Sequence, residues 1–160
     1  MHLGEISLEC SRAGASAVAL WATHQLLPLV PGGEFAQGLA RGRSAALDLD
    51  RRLRADSRFT PLPAGTPELD IVVWLLHAEP AEKASQLARE IFDACAANDL
   101  HLALVQLPHS WFMPECGGEI GIDSALVTGL RSVLMKPEHE AWLDRIWERL
   151  TAACAEVSRG

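Results

Sequence analysis

Cysteine and histidine side chains are the groups in this 160-residue chain that could bind a metal ion or act as nucleophiles. The ligands of a metal site usually come in closely spaced pairs, because one turn or one helix face must present both of them. The sequence has no Cys-x-x-Cys pair and no His-Glu-x-x-His motif. Neither a zinc site nor a redox dithiol is therefore predicted, and the candidate ligands are scattered: His24, His77, His101, His109, His139 and Cys116.

A cysteine activated by a histidine is the second kind of chemistry to consider. Cys116 and His109 fall in one irregular stretch that ends in Gly117-Gly118. A catalytic cysteine also needs a group that orients its base and donors for an oxyanion. No such signature lies nearby, so the stretch is predicted to be a variable connection. Cys95 and Cys154 fall on apolar helix faces, where a free thiol behaves as a small hydrophobic side chain.

Eight elements are predicted to carry these groups. Apolar residues at helical spacing indicate the helices, and β-branched apolar runs indicate the strands. The order is helix, helix, strand, strand, helix, strand, strand, helix, and the segments are residues 14–29, 34–55, 59–62, 69–76, 81–97, 100–107, 126–135 and 137 onward. This order predicts an α+β fold with a roughly four-stranded, mostly antiparallel sheet, helices packed on one face, and one or two long helices before it.

The first two helices differ in pattern. The first is apolar on nearly all sides, so it should be covered on most of them. The second has one apolar stripe, formed by Phe35, Leu39, Ala46, Leu49 and Leu53. Its arginines are expected to be more exposed: Arg41, Arg43, Arg51, Arg52 and Arg54. We predict a helical N-terminal segment over residues 1–56 and an α+β domain over residues 57–160.

Four segments occur in an order that resembles the C-terminal part of the pyridoxal-phosphate-dependent group II amino-acid decarboxylases. They are Glu9-Cys10-Ser11-Arg12 with the helix bearing Leu20-Trp21, then Asp56-Ser57-Arg58-Phe59, the apolar strand at residues 71–76, and residues 129–137 leading into the last helix. Each segment alone is partly a packing pattern, whereas their common order is more specific. The resemblance covers most of the chain and implies the small domain of the type I fold, as in glutamate, tyrosine and aromatic amino-acid decarboxylases.

Arg12 is the residue to which the resemblance assigns a substrate-binding role. In relatives, an arginine at the matching Cys-small-Arg position lies near the cofactor and holds the α-carboxylate of the substrate. A guanidinium suits this role because its planar fork binds a carboxylate through two parallel hydrogen bonds. The segment from Arg12 to Trp21 is slightly longer than in the animal glutamate-decarboxylase-like pattern. The alternative is a surface arginine near a frayed terminus.

The resemblance implies pyridoxal phosphate as the cofactor of the complete enzyme. This cofactor needs a lysine for its Schiff base, a carboxylate for its ring nitrogen and donors for its phosphate. The family supplies these groups from a large domain, ahead of the segment that opens this chain. Lys83 and Lys136 are the only two lysines, and each has the pattern of a solvated surface residue.

We therefore expect a C-terminal part of an amino-acid decarboxylase, a lyase, that is inactive alone and binds no cofactor by itself. The expected partner is the missing cofactor-binding large domain or its separate chain, and the resemblance also implies a homodimer. No catalytic, cofactor-binding or metal-binding residue is assigned to this chain. The alternative is a non-catalytic, stand-alone α+β interaction or regulatory module.

The composition excludes several other classes. Apolar residues make up 49% and charged residues 22%, as in ordinary globular proteins. A formal charge of −7 disfavours a nucleic-acid partner, because phosphate backbones would be repelled. No run of about 18 apolar residues occurs, so no membrane span is predicted, and no secretory signal pattern is present. The expected location is the cytoplasm.

Overall fold

The computed structural model describes residues 11–108 and 126–159, with the backbone alone for residues 11–13. Its helices and strands follow the predicted order: α1 Ser11–Leu26, α2 Glu34–Arg54, β1 Phe59–Leu62, β2 Ile71–Leu76, α3 Ala81–Ala97, β3 Ala103–Pro108, β4 Leu126–Val133 and α4 His139–Val157. The predicted α+β class is confirmed. The boundaries differ from the predicted ones by up to three residues: α1 begins and ends three residues earlier than predicted, and β2 and β3 begin later than their apolar runs.

The four strands form one antiparallel sheet in the order β1-β2-β4-β3. β2 is central, as its apolar character on both faces predicts, and it pairs with β1 and with β4. β4 is the other central strand, with Leu130 opposite Trp74 on one side and opposite Leu104 on the other. The strand that comes last in the sequence is therefore needed to join β3 to the rest of the sheet.

The main core lies between one face of this sheet and the helices α2, α3 and α4. Trp74 is fully buried in it, and its indole Nε1 has no hydrogen-bond partner within the described residues. Each helix contributes small or branched side chains that allow close packing against the tryptophan and its neighbours. Representative buried helix residues are Ala46, Leu49, Leu53, Ala88, Ile91, Leu150 and Ala153.

Ser85 of α3 completes the hydrogen bonding of the sheet where β2 and β4 separate. Their pairing ends at Trp74 and Leu130, and the backbone N–H of Thr128, two residues further, donates to Ser85 Oγ at 3.0 Å. The same hydroxyl donates to the carbonyl of Ala81 at 2.9 Å. A strand N–H that would otherwise be buried without a partner is satisfied by a helix side chain. This contact fixes the N-terminal half of α3 on the sheet.

The apolar stripe predicted for α2 is correct only in its second part. Ala46, Leu49 and Leu53 are buried, whereas Phe35 is 37% exposed and Leu39 is 57% exposed. Helical spacing identifies the face that carries apolar residues, but it does not show how far along the helix that face is covered. The covered part of α2 begins near Gly42.

Gly42 allows α2 to approach the sheet closely. A Cβ atom at this position would lie 2.8 Å from the backbone oxygen of Leu134 and 3.5 Å from Cβ of Asp70. A backbone oxygen at that distance cannot yield without moving the backbone directly after β4. The position therefore requires a residue without a side chain, although glycine ordinarily weakens a helix interior.

Gly42→Ala is expected to destabilise the chain by about 1 to 3 kcal/mol, as overpacking of a tight contact does. The matched control is Gly14→Ala in α1, where a Cβ atom would meet nothing within 4 Å. That change is expected to be neutral or to stabilise its helix. Urea unfolding followed by circular dichroism measures both variants, and a Gly42→Ala chain as stable as the parent would contradict the close approach.

The chain divides into two compact units, residues 1–38 and residues 39–160. In the first unit, α1 is followed by a turn in which Gly32 has a φ of 74°, a left-handed conformation that favours glycine. The second unit contains the sheet and its core.

Candidate functional site

Arg12 lies in the first turn of α1, and its side chain is outside the described residues. Glu9 and Cys10 of the same segment also lie outside them, as do His109 and Cys116 of the irregular stretch. The role that the sequence assigns to Arg12 therefore stays a prediction. The candidate sites that can be built from side chains lie in residues 14–108 and 126–159.

The two lysines are in exposed positions. Lys83 lies on the solvent side of α3, and Lys136 lies in the connection between β4 and α4. Neither lines either of the two cavities described below. A Schiff-base lysine must instead face an enclosed site, where burial and neighbouring charges adjust its reactivity. Within the described residues, neither lysine has the enclosed surroundings that a Schiff-base lysine needs.

Cys95 and Cys154 are buried free thiols in the core, as their positions on apolar helix faces predict. Burial raises the pKa of Cys95 to about 12, with a further contribution from nearby Cys154. Burial also raises the pKa of Cys154 to about 11. A thiol is nucleophilic only as a thiolate, so both are inert at neutral pH. Within the described ranges, no three histidine, cysteine or acidic side chains are grouped as metal ligands.

A polar cluster occupies the junction between α2 and β1, at one of the segments that carries the family resemblance. Arg58 Nη2 donates to Asp56 Oδ2 at 2.6 Å, and this hydrogen bond holds the pKa of Asp56 below its usual value. The Arg58 guanidinium lies 5.3 Å from the ring centroid of Phe59, which in turn meets Trp147 of α4 edge to face. Asp56, Arg58 and Phe59 thus contact one another in sequence, and Phe59 connects them to Trp147.

An open cavity of about 520 Å³ lies beside this junction, lined by Arg52, Ala55, Asp56, Ser57 and Trp147. Its charged groups are already paired. Arg52 Nη2 donates to Asp48 at 2.9 Å and to Asp144 of α4 at 2.6 Å, and Asp56 is held by Arg58. Because these groups satisfy one another, the junction ties α2 to α4 and offers few unsatisfied charges to a ligand.

Arg54 forms a second ionic cluster, which the sequence did not reveal. Its guanidinium donates to both carboxylate oxygens of Asp50, at 2.8 and 3.0 Å, and to the carbonyl oxygens of Pro63 and Gly65, at 2.9 and 2.8 Å. The Asp50 side chain is only 5% exposed. The i to i+4 spacing of the two residues was the available signal. The cluster fixes the connection after β1 to the end of α2.

Two groups of apolar side chains are exposed. On residues 11–38 the exposed group comprises Val18, Leu20, Trp21, Leu26, Leu29 and Val30, each at least half exposed. In the second unit, Ile71 pairs with Val133 across β2 and β4, and both point away from the main core. Leu69 and Met135 continue the same alternation and are 68% and 67% exposed. We call Leu69, Ile71, Val133 and Met135 the sheet patch; contiguous apolar surface of this kind is typical of interfaces.

A smaller cavity of about 220 Å³ lies between α4 and the turn that joins α3 to β3. It is lined by Asp99, Leu100, Trp142, Arg145, Ile146 and Arg149. No sequence motif marks these residues as a site. For Trp142, Arg145, Ile146 and Arg149, the spacing i, i+3, i+4 and i+7 was the signal that places them on one face of α4.

None of the described helices, in residues 11–108 and 126–159, has the length and apolar content needed to cross a membrane.

Comparisons with known proteins give matches among solved structures only. No protein-family model matches the sequence, and no curated protein is significantly similar to it. The crystal structure of tryptophan decarboxylase from Catharanthus roseus, in complex with L-tryptophan, is similar over 88% of this chain with a TM-score of 0.61 and 15% identity. The structure of 4-hydroxyphenylacetaldehyde synthase from Rhodiola rosea is similar over 76%, with a TM-score of 0.54 and 17% identity.

The match covers much of this chain and little of the others. It accounts for 25% of the tryptophan decarboxylase chain and 23% of the synthase chain, so this chain spans about a quarter of the length of the solved structures it matches. At 15% to 17% identity the similarity is one of fold. The predicted fold, that of the C-terminal small domain in such decarboxylases, is confirmed.

Proposed function

We propose that this chain is the small-domain part of a pyridoxal-phosphate-dependent amino-acid decarboxylase and acts together with a cofactor-binding large domain. The observation that carries the proposal is the fold match, which extends over 88% of this chain but only 25% of the tryptophan decarboxylase chain. The order of the sequence segments that resemble the family supports the same reading. The reaction would be the α-decarboxylation of an amino acid.

The distribution of chemistry between the two parts follows from the residues of this chain. Its described lysines are exposed and line neither cavity, so the large domain would bind pyridoxal phosphate and supply the electron sink for the reaction. Arg12 would bind and orient the substrate carboxylate at the edge of that site. The sheet patch and the exposed apolar side chains of residues 18–30 would pack against the large domain. Alone, the chain would be inactive.

The isolated chain is expected to give no saturable Schiff-base absorbance band when mixed with one equivalent of pyridoxal phosphate. The physical reason is that exposed lysines form only weak, reversible aldehyde adducts without a site that holds the phosphate and ring. A Lys83→Arg/Lys136→Arg variant serves as the control for such adducts. A stoichiometric band that disappears in this variant would overturn the statement that the chain lacks its own cofactor site.

Assembly is tested with the reading frame that precedes Met1. If it encodes a cofactor-binding large domain, the two proteins are expressed together, and size exclusion with light scattering measures the complex and any homodimer. Met135→Asp places a charge in the sheet patch and is expected to weaken assembly at least tenfold. Gln86→Asp adds the same charge at an exposed position of α3 and is expected to change the assembly little. Carbon dioxide release from a panel of amino acids then measures the activity.

A stand-alone α+β interaction or regulatory module is the second candidate. The observation that favours it is the core of residues 39–160, in which Trp74, Leu53 and Leu130 are fully buried by residues of the same unit. A unit with its own core can fold without a partner domain. Absence of any large-domain frame, together with a stable monomer in solution, would favour this module over the enzyme.

A further inference from the structure

The cavity between α4 and the α3–β3 turn combines an apolar floor with a cation that has no partner among the residues that the structure describes. Leu100 is buried and Ile146 is half-buried, and they form the floor. Trp142, on the same face of α4, is 50% exposed. Half exposure of a tryptophan leaves apolar area that a ligand could cover.

Two arginines on this face of α4 have different surroundings. Arg149 Nη1 donates to the backbone oxygen of Asn98 at 2.6 Å and lies 3.7 Å from Asp99 Oδ2. Arg145, one turn earlier, is exposed and forms no hydrogen bond or ion pair with any residue that the structure describes. Its guanidinium therefore keeps its full set of donors for another acceptor.

The charges around the cavity leave a local positive excess. Two arginines face one acid, Asp99, whose carboxylate is already close to Arg149. The chain as a whole carries a formal charge of −7, so this excess is opposite in sign to that of the molecule. A group that enters the cavity next to Arg145 meets an unneutralised cation, which favours an anion.

The turn that forms the other wall is locally fixed. Asp99 adopts a φ of 56°, in the left-handed region, and the backbone N–H of Leu100 donates to the oxygen of Cys95 at 2.9 Å. The amide of Asn98 also donates to Ala94 at 2.9 Å. Because Arg149 bonds to this same turn, both walls are held in place before any ligand arrives, which lowers the entropic cost of binding.

We propose that this cavity is a binding site for a small carboxylate with a compact apolar body. The carboxylate accepts hydrogen bonds from the fork of Arg145, and the apolar body covers Leu100, Ile146 and the ring of Trp142. The cavity volume of about 220 Å³ lies below the range of roughly 300 to 1,000 Å³ that is usual for drug-sized ligands, so the ligand is small. The site belongs to residues 39–160 alone and does not depend on the proposed decarboxylase function.

Benzoate is the probe that tests the site, because benzamide has nearly the same shape without the charge and benzylamine has the opposite charge. Each is titrated into the full ¹⁵N-labelled chain while the indole N–H of Trp142 and the amide of Leu100 are followed. Benzoate is expected to shift both signals saturably, with a Kd at least tenfold lower than that of benzamide. Benzylamine is expected to shift neither signal.

Arg145→Ala is expected to raise the Kd for benzoate roughly tenfold or more and to leave that for benzamide unchanged. Arg145→Lys keeps the charge but loses the fork, so it is expected to restore part of the affinity. Arg41→Ala removes the same charge at an exposed position of α2, away from the cavity, and is the matched control. Equal binding of benzoate and benzamide, or equal losses in the Arg145→Ala and Arg41→Ala variants, would overturn the proposal.

Discussion

Arg54→Leu is expected to lower the free energy of unfolding by about 3 kcal/mol, near the lower end of the cost of removing one partner from a buried ion pair. The reason is that Asp50 stays behind with a side chain only 5% exposed and no cation to balance it. The carbonyl oxygens of Pro63 and Gly65 lose their donor in the same change. Urea unfolding at neutral pH, followed by circular dichroism, measures the loss.

Arg51→Leu is the matched control, because Arg51 lies one turn earlier on α2 and also pairs with an aspartate, Asp48. Its side chain is 76% exposed, so the change is expected to cost at most about 1 kcal/mol. Removing the buried charge as well, in an Asp50→Asn/Arg54→Leu variant, is expected to recover part of the stability. Similar losses of unfolding free energy for Arg51→Leu and Arg54→Leu would contradict the larger contribution expected of the buried Asp50–Arg54 pair.

Alkaline pH is expected to destabilise the chain through its two buried thiols. Their pKa values are about 12 for Cys95 and about 11 for Cys154 in the folded state, against 9.0 for an unperturbed thiol. Below about pH 8 both states keep the thiol protons and no stability is lost. Between about pH 8 and about pH 11 the unfolded chain releases protons that the folded chain retains, so unfolding becomes more favourable. At pH 10 each thiol contributes a loss on the order of 1 kcal/mol, or roughly 2 to 3 kcal/mol for the pair.

The measurement is a series of urea unfolding curves at pH 8, 9 and 10 with a reductant present. A Cys95→Ala/Cys154→Ala variant is expected to lose this part of the pH dependence, whatever its stability at pH 8. The comparison uses the slope with pH and not the absolute stability, so a small packing defect from the alanines does not obscure it. A variant whose stability falls with pH as steeply as that of the parent would contradict the role of the thiols.

The fold was predictable from the sequence because its elements have clear periodic patterns. The strand over residues 59–62 and the helix over residues 81–97 were predicted with the bounds that β1 and α3 have in the structure. Both have sharp ends, which a turn or proline marks. Less of α2 was predictable, since the exposure of Leu39 depends on where the helix leaves the core.

The candidate sites were less predictable, because they depend on side chains that tertiary structure brings together. Arg54 was expected to be among the more exposed arginines of α2, yet it binds a buried carboxylate and two carbonyl oxygens of a distant turn. Arg145 carries no motif, and only the fold places it beside Leu100. Arg12 was assigned from resemblance alone, and its role stays a prediction.

The central position of β4 also determines when this chain can fold during its synthesis. β2 ends at Leu76 and β4 begins at Leu126, so 50 residues must be added before one edge of β2 can be paired. At roughly 5 to 20 residues per second, the ribosome needs about 3 to 10 seconds for this stretch. During that interval the nascent chain presents the apolar strand with Val72, Trp74 and Leu76 and no β4 partner, and unpaired apolar strands of this kind are prone to aggregation.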